Sequence, residues 1–151
     1  MTVKPDIARL EHLLEWATEE QAKRERGEPS EWNQGVYIVD RTLANGTRRV
    51  TDCDTVCCIA GKVALEDGRR IIWAEHGYGS YVRVRGSKVA IDDYAEQELR
   101  LTSSQAFVLF HAENNLEALR KIIDAIKRGA SDKELQDLHQ ELLEEMRWDL
   151  V

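Results

Sequence analysis

The sequence predicts an α+β fold: a small, mainly antiparallel sheet around a buried central helix, with an N-terminal helix and a C-terminal helical group. Three observations predict it. Apolar residues recur at helical spacing near the N-terminus and again through the last third of the chain. Between them, residues 36–91 break into short β-branched and aromatic runs separated by glycine turns. Within that middle lies a stretch, Thr55 to Glu66, that is almost wholly apolar or small. A helix apolar nearly all round belongs inside a core.

The elements follow in order. Helix one is expected over about Pro5 to Arg26, with Ile7, Leu10, Leu14 and Ala17 on its stripe and Leu13 and Trp16 widening it. Pro5 suits a first helical turn, and Gly27-Glu28-Pro29 ends the helix. Trp32 is expected as a core anchor. Val36-Tyr37-Ile38-Val39 reads as a strand, Asn45-Gly46 as a hairpin turn and Thr47 to Thr51 as the returning strand. The central helix is expected from about 55 to 66, with Asp54 or Thr55 as N-cap and Gly68 as the residue past its end. Cys57, Ala60, Gly61 and Ala64 give it a small-residue side that another element can approach closely.

Beyond it, Arg69 to Ala74 reads as a strand and Gly77 to Ser80 as a loop. Tyr81 to Arg85 alternates with Val82 and Val84 on one face, and a turn at Gly86-Ser87 leads into Lys88 to Ile91. A short helix from Asp92 to Leu99 follows. Thr102-x-x-Gln105 and Ser131-x-x-Glu134 are capping boxes. Ala106, Phe107, Leu109 and Phe110 are expected to supply an apolar face. Lys127-Arg128-Gly129 has the chemistry of a helix C-terminus. Leu135, Leu138, Leu142 and Met146 line a final helix.

The 151 residues are expected to form a single domain, 1–151, large enough for a real core. No apolar run approaches the ~20 residues of a membrane span, and residues 1–6 lack a signal-peptide core. The expectation is therefore a cytoplasmic protein with reduced thiols. An odd number of cysteines, two of them adjacent, also argues against a disulfide framework. The net charge of −7 is unevenly spread: residues 41–90 carry nine basic and five acidic side chains, and residues 91–151 seven basic and fourteen acidic. An acidic whole disfavours general nucleic-acid binding. The basic middle leaves room for a small anionic ligand or an acidic protein surface, against the plainer reading of solvated strand edges.

Cys53-x-Thr55-x-x-Cys58-x-Ala60-Gly61 resembles a Cys-Gly-Thr-x-x-Cys-x-Ala-Gly pattern found in small uncharacterised proteins of actinobacterial phages and related bacteria. Glu98 to Phe110 is similar to a second feature of that family, a Leu-Gly-Leu-Thr-like helix start followed by Leu-Phe. Asp54 and Arg100 stand where the family has glycine. The resemblance implies a phage-type accessory protein of mixed α/β structure and brings no catalytic residues with it.

Three kinds of chemistry are open to these residues. Cys53, just before a helix N-terminus, is a candidate nucleophile with His76 as its base, and the Cys53–Cys58 run resembles the nucleophile helix of bacteriocin-processing cysteine peptidases. Buried structural cysteine is the commoner use of such residues. Zinc on Cys53, Cys57, Cys58 and His76 lacks the second ligand pair such sites carry, so no metal or other cofactor is expected. Arg48, Arg49, Arg69, Arg70, Arg83 and Arg85, with Tyr78 and Tyr81 as stacking platforms, are candidate ligands for a nucleotide-like anion, although no glycine-rich phosphate loop accompanies them. The expected function is a non-enzymatic accessory protein that binds a host protein or blunts host defence. Sequestration of a small nucleotide-like signal through the basic middle is the alternative, and a cysteine hydrolase the third reading. The acidic C-terminal helices and Trp148 and Leu150 leave a homodimer open.

Overall fold

The computed structural model describes residues 4–40, 55–74 and 77–148. The Asn45-Gly46 turn, the strand expected over 47–51, the Asp54 cap, Leu150, and Arg48, Arg49, Cys53 and His76 lie outside the described residues.

Helix α1 spans Ile7–Glu25. Asp6 caps it, accepting the Arg9 N–H at 3.1 Å, so Pro5 precedes the cap instead of entering the first turn. Leu10, Leu13 and Ala17 are buried, as the stripe predicted.

Strand β1 (Ile38–Asp40) pairs antiparallel with β2 (Thr55–Cys57), with Ile38 opposite Cys57. This corrects the expected helix start at 55. An apolar run alone does not separate strand from helix, and here the tertiary partners decide. The Cys57 N–H donates to the Glu31 carbonyl at 2.7 Å, and its carbonyl accepts the Asn33 N–H at 2.9 Å. Trp32 lies between them, buried at the core margin as expected. Cys57 is therefore fixed in extended backbone.

The central helix α2 runs Ile59–Glu66 with Cys58, not Asp54 or Thr55, as its N-cap. Ile59, Ala60, Gly61, Val63 and Ala64 are buried. Gly68 takes a positive φ of 67° just past the end, as predicted. A Cβ on Gly61 would lie 1.8 Å from the Tyr37 carbonyl oxygen. The close approach foreseen for the small-residue side is thus the chain entering β1, and only glycine admits it.

Strands β3 (Ile71–Trp73), β4 (Tyr78–Val84) and β5 (Ser87–Ala90) complete one antiparallel sheet ordered β2-β1-β4-β3. β5 pairs with the C-terminal part of β4 along the edge that takes β1 at Tyr78 and Gly79. The expected loop at 77–80 is therefore partly strand. Val82 is buried while Tyr81 and Arg83 face out, so the predicted alternation holds. The β4–β5 turn is at Arg85-Gly86, with φ of 50° and 82°, one residue before the position expected. Two successive positive φ values suit a two-residue hairpin loop.

Helices α3 (Ile91–Glu98), α4 (Ser103–Leu109), α5 (Leu116–Lys127) and α6 (Asp132–Trp148) form the C-terminal group. Both capping boxes are present, at Thr102/Gln105 and Ser131/Glu134. One hydrophobic cluster joins Leu10 of α1, Ile38 of β1, Ile59 of α2, Val82 of β4, Ile91 of α3 and Leu119, Ile122 and Leu135 of the last helices. The fold is α+β as predicted: α1 packs on α5 and α2, and the sheet packs on α3. No described helix is long and apolar enough to cross a membrane.

Candidate functional site

The two described cysteines behave as core residues. Cys57 and Cys58 are free and buried, and burial pushes the Cys57 thiol well up. Cys58 is the residue at a helix N-terminus, and its Sγ accepts the Gly61 N–H at 3.5 Å. The amides of Gly61 and Ala60 favour its thiolate, yet desolvation outweighs them and its pKa is pushed up to about 11. Both thiols are protonated near neutral pH.

The basic candidates separate into groups. Arg69 donates through Nε to the Tyr94 hydroxyl at 2.9 Å and lies over its ring, while that hydroxyl donates to Asp67 at 2.6 Å. Arg9 closes the network on Asp67 at 2.8 Å. Arg69 thereby ties α2 to α3. Tyr78, Tyr81 and Arg83 share the outward face of the sheet, joined by Lys88 of β5, whose ammonium sits 4.0 Å from the Tyr81 ring centre. Tyr78 is 49% and Tyr81 40% exposed. Arg83 also donates to the Gly86 carbonyl at 3.2 Å. Arg70 precedes β3 and Arg85 sits in the hairpin turn, both exposed. The face is open, basic and aromatic.

A different site was not singled out from the sequence. Phe107 on α4 was expected in the apolar stripe, but it is 70% exposed. Gln105, Ala106, Val108 and Leu109 form the buried side of this seven-residue helix. Once Val108 occupies the stripe, Phe107 falls off it. Phe107 lines a groove of about 460 Å³ between α3 and α4, with Ala106 and Phe110 of the α4 side, Asp92, Asp93 and Glu96 of α3, and Tyr37. None of these three carboxylates joins an ion pair, and no lysine or arginine lines the groove, among the described residues. Burial, with Asp92 beside it, pushes the Tyr37 phenol up to about 12, which keeps it a neutral hydrogen-bonding group.

The Phe107 side of the groove is braced from behind. Phe107 meets His111 edge to face, and His111 meets His139 in the same way with ring centres 4.8 Å apart. His139, on α6, is buried, and its Nε2 lies 3.3 Å from Asn114 Oδ1. Asn114 Nδ2 donates to the Val108 and Leu109 carbonyls, so its oxygen faces His139 and Nε2 carries the proton. His111 follows the end of α4.

The larger cavity, about 560 Å³, lies between α1 and the loop before α5. Its charges are of both signs: Arg24 donates to the Trp32 carbonyl, Arg120 pairs with Glu117, and Glu113 lies 3.9 Å from Arg147. The α3–α4 groove instead combines an exposed aromatic side chain with three carboxylates that join no ion pair among the described residues. No known protein family, curated protein or solved structure matches the chain.

Proposed function

We propose that this chain is a non-enzymatic accessory protein of the phage type that acts by binding a host protein, with the α3–α4 groove as its docking site. The observation that carries the reading is Phe107, an exposed phenylalanine on an otherwise well-packed helix, sharing a groove with three carboxylates that join no ion pair among the described residues. An aromatic side chain left in water at the mouth of a groove is the kind of residue that dominates binding energy when a partner covers it. The motif resemblance agrees with an accessory role.

The test is affinity capture from bacterial lysate with the wild-type chain and with Phe107→Asp. One dominant partner, lost with the variant while the far-ultraviolet circular dichroism is unchanged, supports the reading. Recovery of the same proteins by both variants refutes the groove as the docking site.

A second reading rests on Tyr78, Tyr81, Arg83 and Lys88 sharing the outward sheet face. In it, that face sequesters a nucleotide-like anion by stacking and charge. Native mass spectra before and after denaturation would reveal a released anion, and Arg83→Glu should abolish its retention without unfolding the chain.

A further inference from the structure

We infer that the segment received by the α3–α4 groove is basic, an arginine- or lysine-bearing peptide stretch of the partner with an apolar residue beside the cation. The inference rests on the protein-binding reading and names the chemistry of the partner. Two features of the groove select this occupant. The first is charge: Asp92, Asp93 and Glu96 lie on the α3 side, with no lysine or arginine among the described lining residues to pair with them. Elsewhere on the surface, Glu117 meets Arg120 and Lys121, and Asp124 meets Arg128. Asp92 and Asp93 stand side by side in the first turn of α3.

The second feature is shape and polarity. On the α4 side are Phe107, Phe110 and Ala106, which offer an apolar bed for the aliphatic stem of an arginine or lysine, and a ring face for its charged head. The neutral Tyr37 hydroxyl in the lining supplies a further acceptor. A guanidinium laid on Phe107 with its N–H fork turned to the acidic side satisfies both sides at once. An acidic or phosphorylated segment would meet three like charges, and a purely apolar one would bury them unpaired. The groove volume of about 460 Å³ suits one or two anchoring side chains of a peptide.

The experiment is selection of a random peptide library, displayed without bias in charge, against the full chain. Enriched peptides are then synthesised, and binding is measured by fluorescence anisotropy at two salt concentrations. The expected result is enrichment of sequences pairing arginine or lysine with an apolar neighbour. Their affinity should fall at least about tenfold with Phe107→Ala and with the combined Asp92→Asn, Asp93→Asn and Glu96→Gln variant. Because Phe107 is exposed, its replacement tests the groove without threatening the fold.

The control neutralises Glu141, Glu144 and Glu145, three exposed acids of α6. An equal loss with that control means general attraction of a polycation to an acidic protein and overturns the inference. Enrichment of neutral or acidic peptides, indifference to the groove substitutions, or no enrichment also overturns it. The lysate experiment separates these failures: a partner captured through Phe107 without a basic preference leaves the protein-binding reading standing and removes only the basic occupant.

Discussion

Replacing Arg100 with glycine is expected to stabilise the chain. Helix α3 ends at Glu98 with Leu99 as C-cap, and Arg100 follows with φ of +56°. Two hydrogen bonds close the end: Leu101 N–H to the Glu96 carbonyl at 2.9 Å, and Arg100 N–H to the Gln97 carbonyl at 3.1 Å. This is the paired termination in which glycine is preferred, because the left-handed backbone crowds a Cβ. A residue with a side chain loses about 1–2 kcal/mol in that conformation. Glycine relieves the clash but gives up about 0.4–1 kcal/mol through the greater freedom of the unfolded chain. The net gain is about 0.5–1 kcal/mol, or roughly 1–4 °C in Tm for a chain of this size. Arg100 is exposed and makes no ion pair among the described residues, so little else is lost. Thermal and urea unfolding of wild type, Arg100→Gly and Arg100→Ala separates backbone from charge, since alanine removes the guanidinium and keeps the Cβ. If Arg100→Ala stabilises as much as Arg100→Gly, charge is responsible and the backbone argument fails.

Three further outcomes are expected. Gly61→Ala should cost about 3 kcal/mol or more, because the new methyl overlaps a backbone carbonyl that cannot swing aside; a urea midpoint within error of wild type would contradict the close packing of α2 on β1. Cys57 and Cys58 should resist iodoacetamide in the native protein at pH 7.5 and react after denaturation, as peptide mapping by mass spectrometry can show; rapid native labelling of either would place it outside the core. The pKa of His139 is lowered by burial and then by His111, while Glu113 opposes the shift. The unfolded chain therefore binds the proton more readily below the ordinary value of about 6.5. The stability His139 contributes is complete above that pH and is lost as pH falls toward its lowered native value. His139→Gln should flatten Tm against pH between about 5 and 7, and an unchanged slope would remove His139 as the cause.

Much of the architecture was legible because local chemistry and tertiary structure agree. Thr102 and Gln105 cap each other as their spacing indicated, and Gly68 and Gly129 end their helices with positive φ. The helical stripe of α1 and the alternation through Val82 also needed no knowledge of neighbours. The departures occur where a distant partner decides. Thr55 to Cys57 continues an apolar run that fits either helix or strand, and only β1 and residues 31–33 make it extended. Phe107 falls in a helix of seven residues, too short for periodicity to tell which apolar position is surplus. The groove depends on α3 and α4 coming together with Tyr37, a juxtaposition that nothing in the order of residues announces. The arginines of the middle region were grouped by nearness in sequence. Folding directs Arg69 to Tyr94 and places Arg83 across the sheet from Val82.

Gln34 bears on how a bound partner would be felt by the whole chain. Its Oε1 accepts from Trp32 Nε1 at 3.2 Å and from the Ile59 N–H at 3.4 Å, and its Nε2 donates to the Leu109 carbonyl at 3.1 Å. One buried amide thus fastens the end of α4 to the start of α2 and to Trp32. Helix α4, which carries Phe107, is for that reason not a flap that can open while the rest stays closed. A partner bound there would be linked to global unfolding: saturation at a hundred times Kd would add about 2.7 kcal/mol to the stability of the folded chain. Amide protons outside the groove lining, such as that of Ile59, would exchange more slowly in the complex, because their release requires the same opening event.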